Sequence, residues 1–180
     1  MSGVRTATAP RLVYEAGVVL GRFEPFHPGH AHLVATAFAE CERVTVLVGS
    51  AQLDDPFPIE RRLAHLDALL RAAYSDREWR LDSLADPEPM AAWPLVVARA
   101  AGTYPGPTAF FRADPLDRAD ELTLNELGCI VCYVERRPFV WIGPEGRPVR
   151  SSSSTDVKRA YAEAGRVLEN GEPGIPGWLV

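Results

Sequence analysis

A chain of 180 residues, 47% hydrophobic and 24% charged, has the size and balance of one soluble globular domain with a buried core. No apolar run approaches the roughly 20 residues that span a bilayer, and Met1 to Arg11 lacks the apolar stretch of a secretory signal and reads as a flexible start. A formal net charge of −5 and a pI near 5.4 argue against a surface that wraps duplex nucleic acid, but leave room for a small anion in a local positive pocket.

Tyr14 to Leu20 is a short apolar run with little alternation, which predicts a buried parallel strand. The loop GRFEPFHP follows. From Gly29, apolar residues at Leu33, Val34, Ala37, Phe38 and Cys41 predict a helix with one buried stripe. Arg43 to Val48 predicts a second buried strand, closing a βαβ unit. Residues 49–59 read as a loop. Glu60 to Ala73 predicts a helix with Leu63, Leu66, Leu69 and Leu70 on one side. Trp79 to Leu84 is a third strand candidate, and Ala91 to Ala101 a helix disrupted at Pro94.

Strands are expected at Thr108 to Phe111 and Ile130 to Val134, flanking a helix near Leu116 to Leu127. Phe139 to Ile142 suits an edge ribbon. Asp156 to Leu168 predicts a last amphipathic helix, and the tail from Asn170 predicts coil. Alternating strands and helices imply an α/β fold, a Rossmann-like doubly wound parallel sheet. Ligands on such sheets sit at the carboxyl ends of strands, near a topological switch point.

The three cysteines, Cys41, Cys129 and Cys132, are an odd count that suits a reducing cytoplasm. In a strand Cys129 and Cys132 would point to opposite faces and read as buried packing residues.

The loop Gly21 to His30, GRFEPFHPGH, concentrates two histidines, an arginine and two glycines between a strand and a helix. Gly21 allows close backbone approach to a ligand. The N-terminus of the helix is expected to present free N–H groups to phosphate. His27 and His30 could donate to phosphate oxygens, and each could be cationic if the site raises its pKa. The only other histidines are His32 and His65, so no metal site is assembled.

Val48-Gly49-Ser50-Ala51-Gln52 and then Asp55-Pro56-Phe57 and Glu60-Arg61 follow the second strand. They form a plausible ligand lip, with Arg61 offering a fork for phosphate or carboxylate. Ser151 to Arg159, SSSSTDVKR, combines hydroxyls, a helix start and cations, again suited to phosphate. Arg136 and Arg137 could reach a ligand but read as a solvated pair.

GRFEPFHPGH resembles the signature of the HxGH nucleotidylyltransferase superfamily, and its GRF-x-PFH-x-GH form resembles the nicotinamide-mononucleotide adenylyltransferases of the NadM and NadR type. The segment from Gly49 to Arg61 is similar to that branch's GSAQ…NPF…ER, with a shorter loop and Asp55 at the asparagine. SSSSTDVKR resembles the superfamily's ISSTxIR element, with Lys158 at the arginine and Arg159 beside it. Lysine lacks arginine's bidentate fork. Ala113-Asp114-Pro115-Leu116 resembles the branch's GNPL segment near adenine, with Asp114 for asparagine.

The resemblance implies one nucleotidylyltransferase domain over 13–169, between a flexible 1–12 and a coil tail at 170–180. It implies joining of ATP, with Mg²⁺, to nicotinamide or nicotinic acid mononucleotide, giving NAD or deamido-NAD and pyrophosphate by direct in-line attack. His27, His30 and Lys158 would be catalytic. Gly21, Arg22, Phe23, Gly29, Ser153, Ser154, Thr155, Arg159 and Asp114 would hold ATP. Ser50, Gln52, Phe57, Arg61 and Trp93 would hold the acceptor, Trp93 by stacking on the pyridine ring. No metal ligand, nucleic acid or membrane partner is implied; a cytoplasmic homo-oligomer is. Two further readings remain open. One is nucleotidyl transfer, or its reversal, on a related phosphate or dinucleotide. The other is a sensor that binds ATP or NAD without turnover.

Overall fold

A computed structural model describes residues 12–24, 26–49, 58–102, 106–142, 148–151, 155–156 and 159. The first strand, β1 (Tyr14–Gly21), leads through the histidine loop into α1 (Pro28–Glu40) and then β2 (Cys41–Gly49). Next come α2 (Ile59–Ala73), β3 (Glu78–Leu84) and α3 (Trp93–Ala101), the last preceded by one 3-10 turn at Met90–Ala92. β4 (Thr108–Arg112), α4 (Arg118–Glu126) and β5 (Cys129–Tyr133) complete the sheet. A ribbon of β6 (Phe139–Ile142) and β7 (Pro148–Ser151) follows.

The five-stranded sheet is wholly parallel, with order β3-β2-β1-β4-β5. The chain winds outward from β1 to β3, crosses back to lay β4 beside β1, and continues to β5. The switch point therefore falls between β1 and β4, at the end of the strand that feeds the histidine loop. Neighbouring side chains enter opposite faces, as a pleated strand requires. Val19, Val46 and Phe111 join Leu33, Phe38, Leu66 and Leu70 in one core. Val18, Leu47 and Phe110 join Val97, Ala101 and Leu124 in the other. That division explains why the central strands read as continuous apolar runs. Gly17 is fixed by packing: a Cβ there would lie 2.5 Å from Cys41 Sγ and 3.1 Å from the Phe111 ring.

The doubly wound α/β expectation holds, with local corrections. Pro94 does not disrupt α3. It occupies the second position of the helix, where a backbone N–H has no intrahelical partner to lose. Cys41, expected on the α1 stripe, instead opens β2 and remains buried. Ser151, read as part of a serine loop, is a buried residue of β7, paired with Phe139. Cys129 and Cys132 do lie on opposite faces, each in a different core. Asp156 and Arg159 are helical, within the last predicted helix, and Thr155, one residue before its expected start, is helical too. The remainder of that helix and the tail lie outside the described residues.

Candidate active site

The loop after β1 is built on an unusual backbone. Phe23 takes φ of 56°, a left-handed conformation that non-glycine residues seldom adopt. Its ring is buried and meets the edge of His30 with centroids 4.9 Å apart. A Cβ at Gly21 would come within 3.0 Å of the same ring. Glycine is thus needed at 21 so that Phe23 can fold beneath the loop. Phe23, expected as a nucleotide contact, is the floor under His30 and is not among the described residues that line the cleft.

His27 is the N-cap of α1. Its Nδ1 accepts from the backbone N–H of Gly29 at 3.0 Å and of His30 at 3.3 Å. Pro28 has no N–H, and Ala31 donates to the His27 carbonyl at 3.1 Å. The first donors of α1 are therefore spent within the loop, contrary to the expectation that they face phosphate. The cap also assigns the tautomer. With Nδ1 accepting, the neutral ring carries its proton on Nε2. His27 and His30 stack at 3.8 Å, 20° from parallel.

Burial, and then the charge of Arg136, push the His27 pKa down to about 4. A cationic His27 would need a site that raises its pKa; this site lowers it, and in the free protein His27 is a neutral hydrogen-bond donor. The linkage sign follows. Between about 4 and the ordinary value near 6.5, the unfolded chain binds a proton that the folded chain refuses. Stability is expected to be full above pH 6.5 and to fall toward pH 4, by roughly 3 kcal/mol. Burial lowers His65 as well and adds to the same slope. Urea unfolding at several pH values should show the fall, and His27→Asn should flatten it. An unchanged slope in that variant would refute the assignment.

Beneath the loop lies a buried ion pair. Arg62 Nη1 sits 3.2 Å from Glu24 Oε1, with side chains 2% and 4% exposed. The same nitrogen donates to the carbonyls of Arg22 at 2.8 Å and Gly49 at 3.0 Å. One guanidinium on α2 thereby ties the ends of β1 and β2 together. Arg61, the residue expected to act, is exposed on the first turn of α2 and is not among the described residues that line the cleft. Sequence reasoning missed Arg62, although a signal existed: it shares a four-residue spacing with Leu66 and Leu70, the buried stripe of α2.

A cleft of about 550 Å³ opens over these carboxyl ends. Gly21, Arg22, His27, Gly29 and His30, at the end of β1 and the start of α1, line it. Asp86, Met90 and Trp93 line the side of β3 and α3. Arg112, Asp114, Arg136 and Arg137 line the side of β4 and β5, and Thr155 also faces in. Trp93 is half-buried with its ring against the edge of Phe110 at 6.1 Å. Arg136 and Arg137 are thus not merely a solvated pair. Arg136 pairs with the Asp114 carboxylate, and Arg112 Nε donates to the Asp114 carbonyl.

Asp86 and Arg112 were missed, since neither belongs to a recognisable motif. Arg159 is exposed and is not among the described residues that line the cleft. Ser50, Gln52, Phe57, Ser153, Ser154 and Lys158 lie outside the described residues. Among the described residues, no group of three or more His, Cys, Asp or Glu could hold a metal ion. No helix among them is long and apolar enough to cross a membrane.

The sheet order, the switch-point cleft and the paired histidines define a class: a Rossmann-like α/β domain with an HxGH loop. The chain belongs to the cytidylyltransferase-like family, whose model matches residues 18–160. A nicotinamide-nucleotide adenylyltransferase of Pyrococcus horikoshii is 33% identical over 81 residues, 43% of this chain and 44% of its own. Another, from Aeropyrum pernix, is 40% identical over 57 residues, 29% of this chain and 33% of its own. The matched segments thus span less than half the length of these curated relatives. The fold is shared with a bifunctional NMN adenylyltransferase/ADP ribose pyrophosphatase from Francisella tularensis, at a TM-score of 0.61 and 18% identity. That match covers 84% of this chain and 43% of the other. The Francisella enzyme has also been solved with AMP and a manganese ion, at a TM-score of 0.61 and 17% identity.

Proposed function

We propose that the protein joins ATP, entering with Mg²⁺, to nicotinamide or nicotinic acid mononucleotide, forming NAD or deamido-NAD and pyrophosphate. The observation that carries this reading is the stacked His27–His30 pair lining the cleft, with the His27 tautomer fixed by the helix cap. The names of the archaeal relatives support the choice of acceptor.

The acceptor's phosphate oxygen attacks the α-phosphorus of ATP, and the bond from that phosphorus to the bridging oxygen of the β-phosphate breaks. Charge grows on the leaving pyrophosphate. Such a reaction requires positioning and neutralisation more than covalent help. His27 Nε2–H donates to a phosphate oxygen without itself losing a proton. Its donor is prepaid in orientation because Nδ1 is held by α1. His30 supports it through the stacked ring. Arg22 lies where acceptor and nucleotide phosphates meet, and Thr155 with Ser153, Ser154 and Lys158 holds the far phosphates. Gly21 and Gly29 complete the nucleotide side. Asp86 and Trp93 flank the acceptor's ring, and Ser50, Gln52 and Phe57 belong to the acceptor side. The Mg²⁺ rides on the triphosphate. A cytoplasmic homo-oligomer that binds no nucleic acid completes the reading.

The test is pyrophosphate release from MgATP with each mononucleotide in turn, the product identified by mass. A product mass of NAD or deamido-NAD is expected. ATP binding without either product would reject this acceptor.

A further inference from the structure

We propose that Arg136 is the guanidinium anchor for the β- and γ-phosphates of the bound triphosphate, and hence for the pyrophosphate that leaves. The proposal rests on the adenylyl-transfer reading for its substrate, but its test does not.

The first ground is topology. The chain leaves β5 at Tyr133, passes Arg136 and Arg137, and turns out into the β6–β7 ribbon. The ribbon returns it at Ser151, which pairs with Phe139. Arg136, Arg137 and Thr155 line the same cleft. These residues are distant in sequence because the ribbon separates them.

The second ground is position. The β4 and β5 side carries Arg112, Arg136 and Arg137 together with Asp114 and Glu135, whereas the β3 and α3 side carries Asp86, Met90 and Trp93 and, among the described residues, no cation. A flat acceptor ring suits the second side, and a polyanion suits the first. His27 lies between, near enough for the charge of Arg136 to depress its protonation. A phosphate chain held by both would screen that repulsion.

The third ground is chemical. Lys158, at the cation position of the serine-rich segment, is a point charge with no planar fork. Arg136 supplies the fork. Asp114 holds it in place: the carboxylate takes one terminal nitrogen of Arg136, while its carbonyl takes Nε of the half-buried Arg112. A guanidinium has five N–H donors, so one such contact orients the group and leaves others for phosphate. The aspartate at 114 then has a use that an asparagine would serve less well, as counter-ion to Arg136.

Calorimetric titration of the full chain with magnesium pyrophosphate, and separately with AMP, tests the assignment in the parent, Arg136→Ala and Arg136→Lys. Pyrophosphate affinity is expected to fall about tenfold to a hundredfold in Arg136→Ala, with only partial recovery in Arg136→Lys. AMP affinity should stay within about twofold, because AMP has no β- or γ-phosphate, and a merely structural loss would weaken both probes. Unchanged pyrophosphate affinity in Arg136→Ala would overturn the proposal, as would an equal loss for AMP. A parent protein that binds neither probe overturns both this inference and the nucleotide reading. A parent that binds both but makes no dinucleotide rejects the acceptor alone and leaves the Arg136 result to stand or fall by itself.

Discussion

The His27→Ala protein is expected to lose about a hundredfold to a thousandfold in turnover, the usual effect of deleting one donor that meets developing charge. The same change removes an N-cap, which costs about 0.5–2 kcal/mol. A single substitution therefore confounds two effects. His27→Asn separates them. Asparagine is a good N-cap, so it should restore the contact to Gly29 and His30 that Nδ1 makes. It cannot place a donor where Nε2 sits. The expected result is near-parental stability with turnover as low as in His27→Ala. If His27→Asn restored turnover along with stability, the histidine would be only a cap.

Arg62→Ala is expected to destabilise the protein by about 3–5 kcal/mol, the range for stripping one partner from a buried ion pair. For a domain of this size each kcal/mol shifts the melting temperature by about 2–4 °C. The loss is large because three acceptors share the guanidinium: the Glu24 carboxylate and the carbonyls of Arg22 and Gly49. Replacing both partners, as in Glu24→Leu with Arg62→Met, should cost less than the sum of the single changes, because no lone charge is left buried. Recovery should be incomplete, since the two carbonyls still lack their donor. Thermal and urea unfolding of the parent, Glu24→Leu, Arg62→Met and the double variant form a double-mutant cycle, with Arg62→Ala measured beside them. A midpoint for Arg62→Ala equal to the parent's would contradict the clamp.

The sheet was legible in the sequence because its strands are buried on both faces, so Val18-Val19 and Phe110-Phe111 announce themselves as uninterrupted apolar runs. The histidine loop was legible because its composition is rare and its place after a strand is informative. What could not be read was what each atom touches. Sequence shows that His27 is a histidine; only the fold shows that Nδ1 is committed to α1 and that burial and the charge of Arg136 keep the ring neutral. Arg61 and Arg62 are adjacent and identical in kind, yet a rotation of about 100° per helical residue sends one to solvent and the other to the core. β7 escaped notice because Pro148–Ser151 is short and polar; Arg136 and Arg137 reach the cleft from the end of β5, and the chain re-enters it at Thr155 after the ribbon. The placement of Lys158 and of the Ser50–Phe57 segment stands outside the described residues, and their roles rest on resemblance.

The clamp at Arg62 bears on how this site can change over evolutionary time. Gly49 is the last residue of β2 and Arg62 lies in the first turn of α2, so the connecting segment leaves from and returns to points held by the same side chain. Lengthening or shortening such a segment costs little in closure entropy, about 0.6 kcal/mol per doubling. Insertions or deletions there do not have to be transmitted to the histidines, whose loop is tied to the same guanidinium through the Arg22 carbonyl. The segment between β2 and α2 can therefore change in length and charge while the histidine loop keeps its shape.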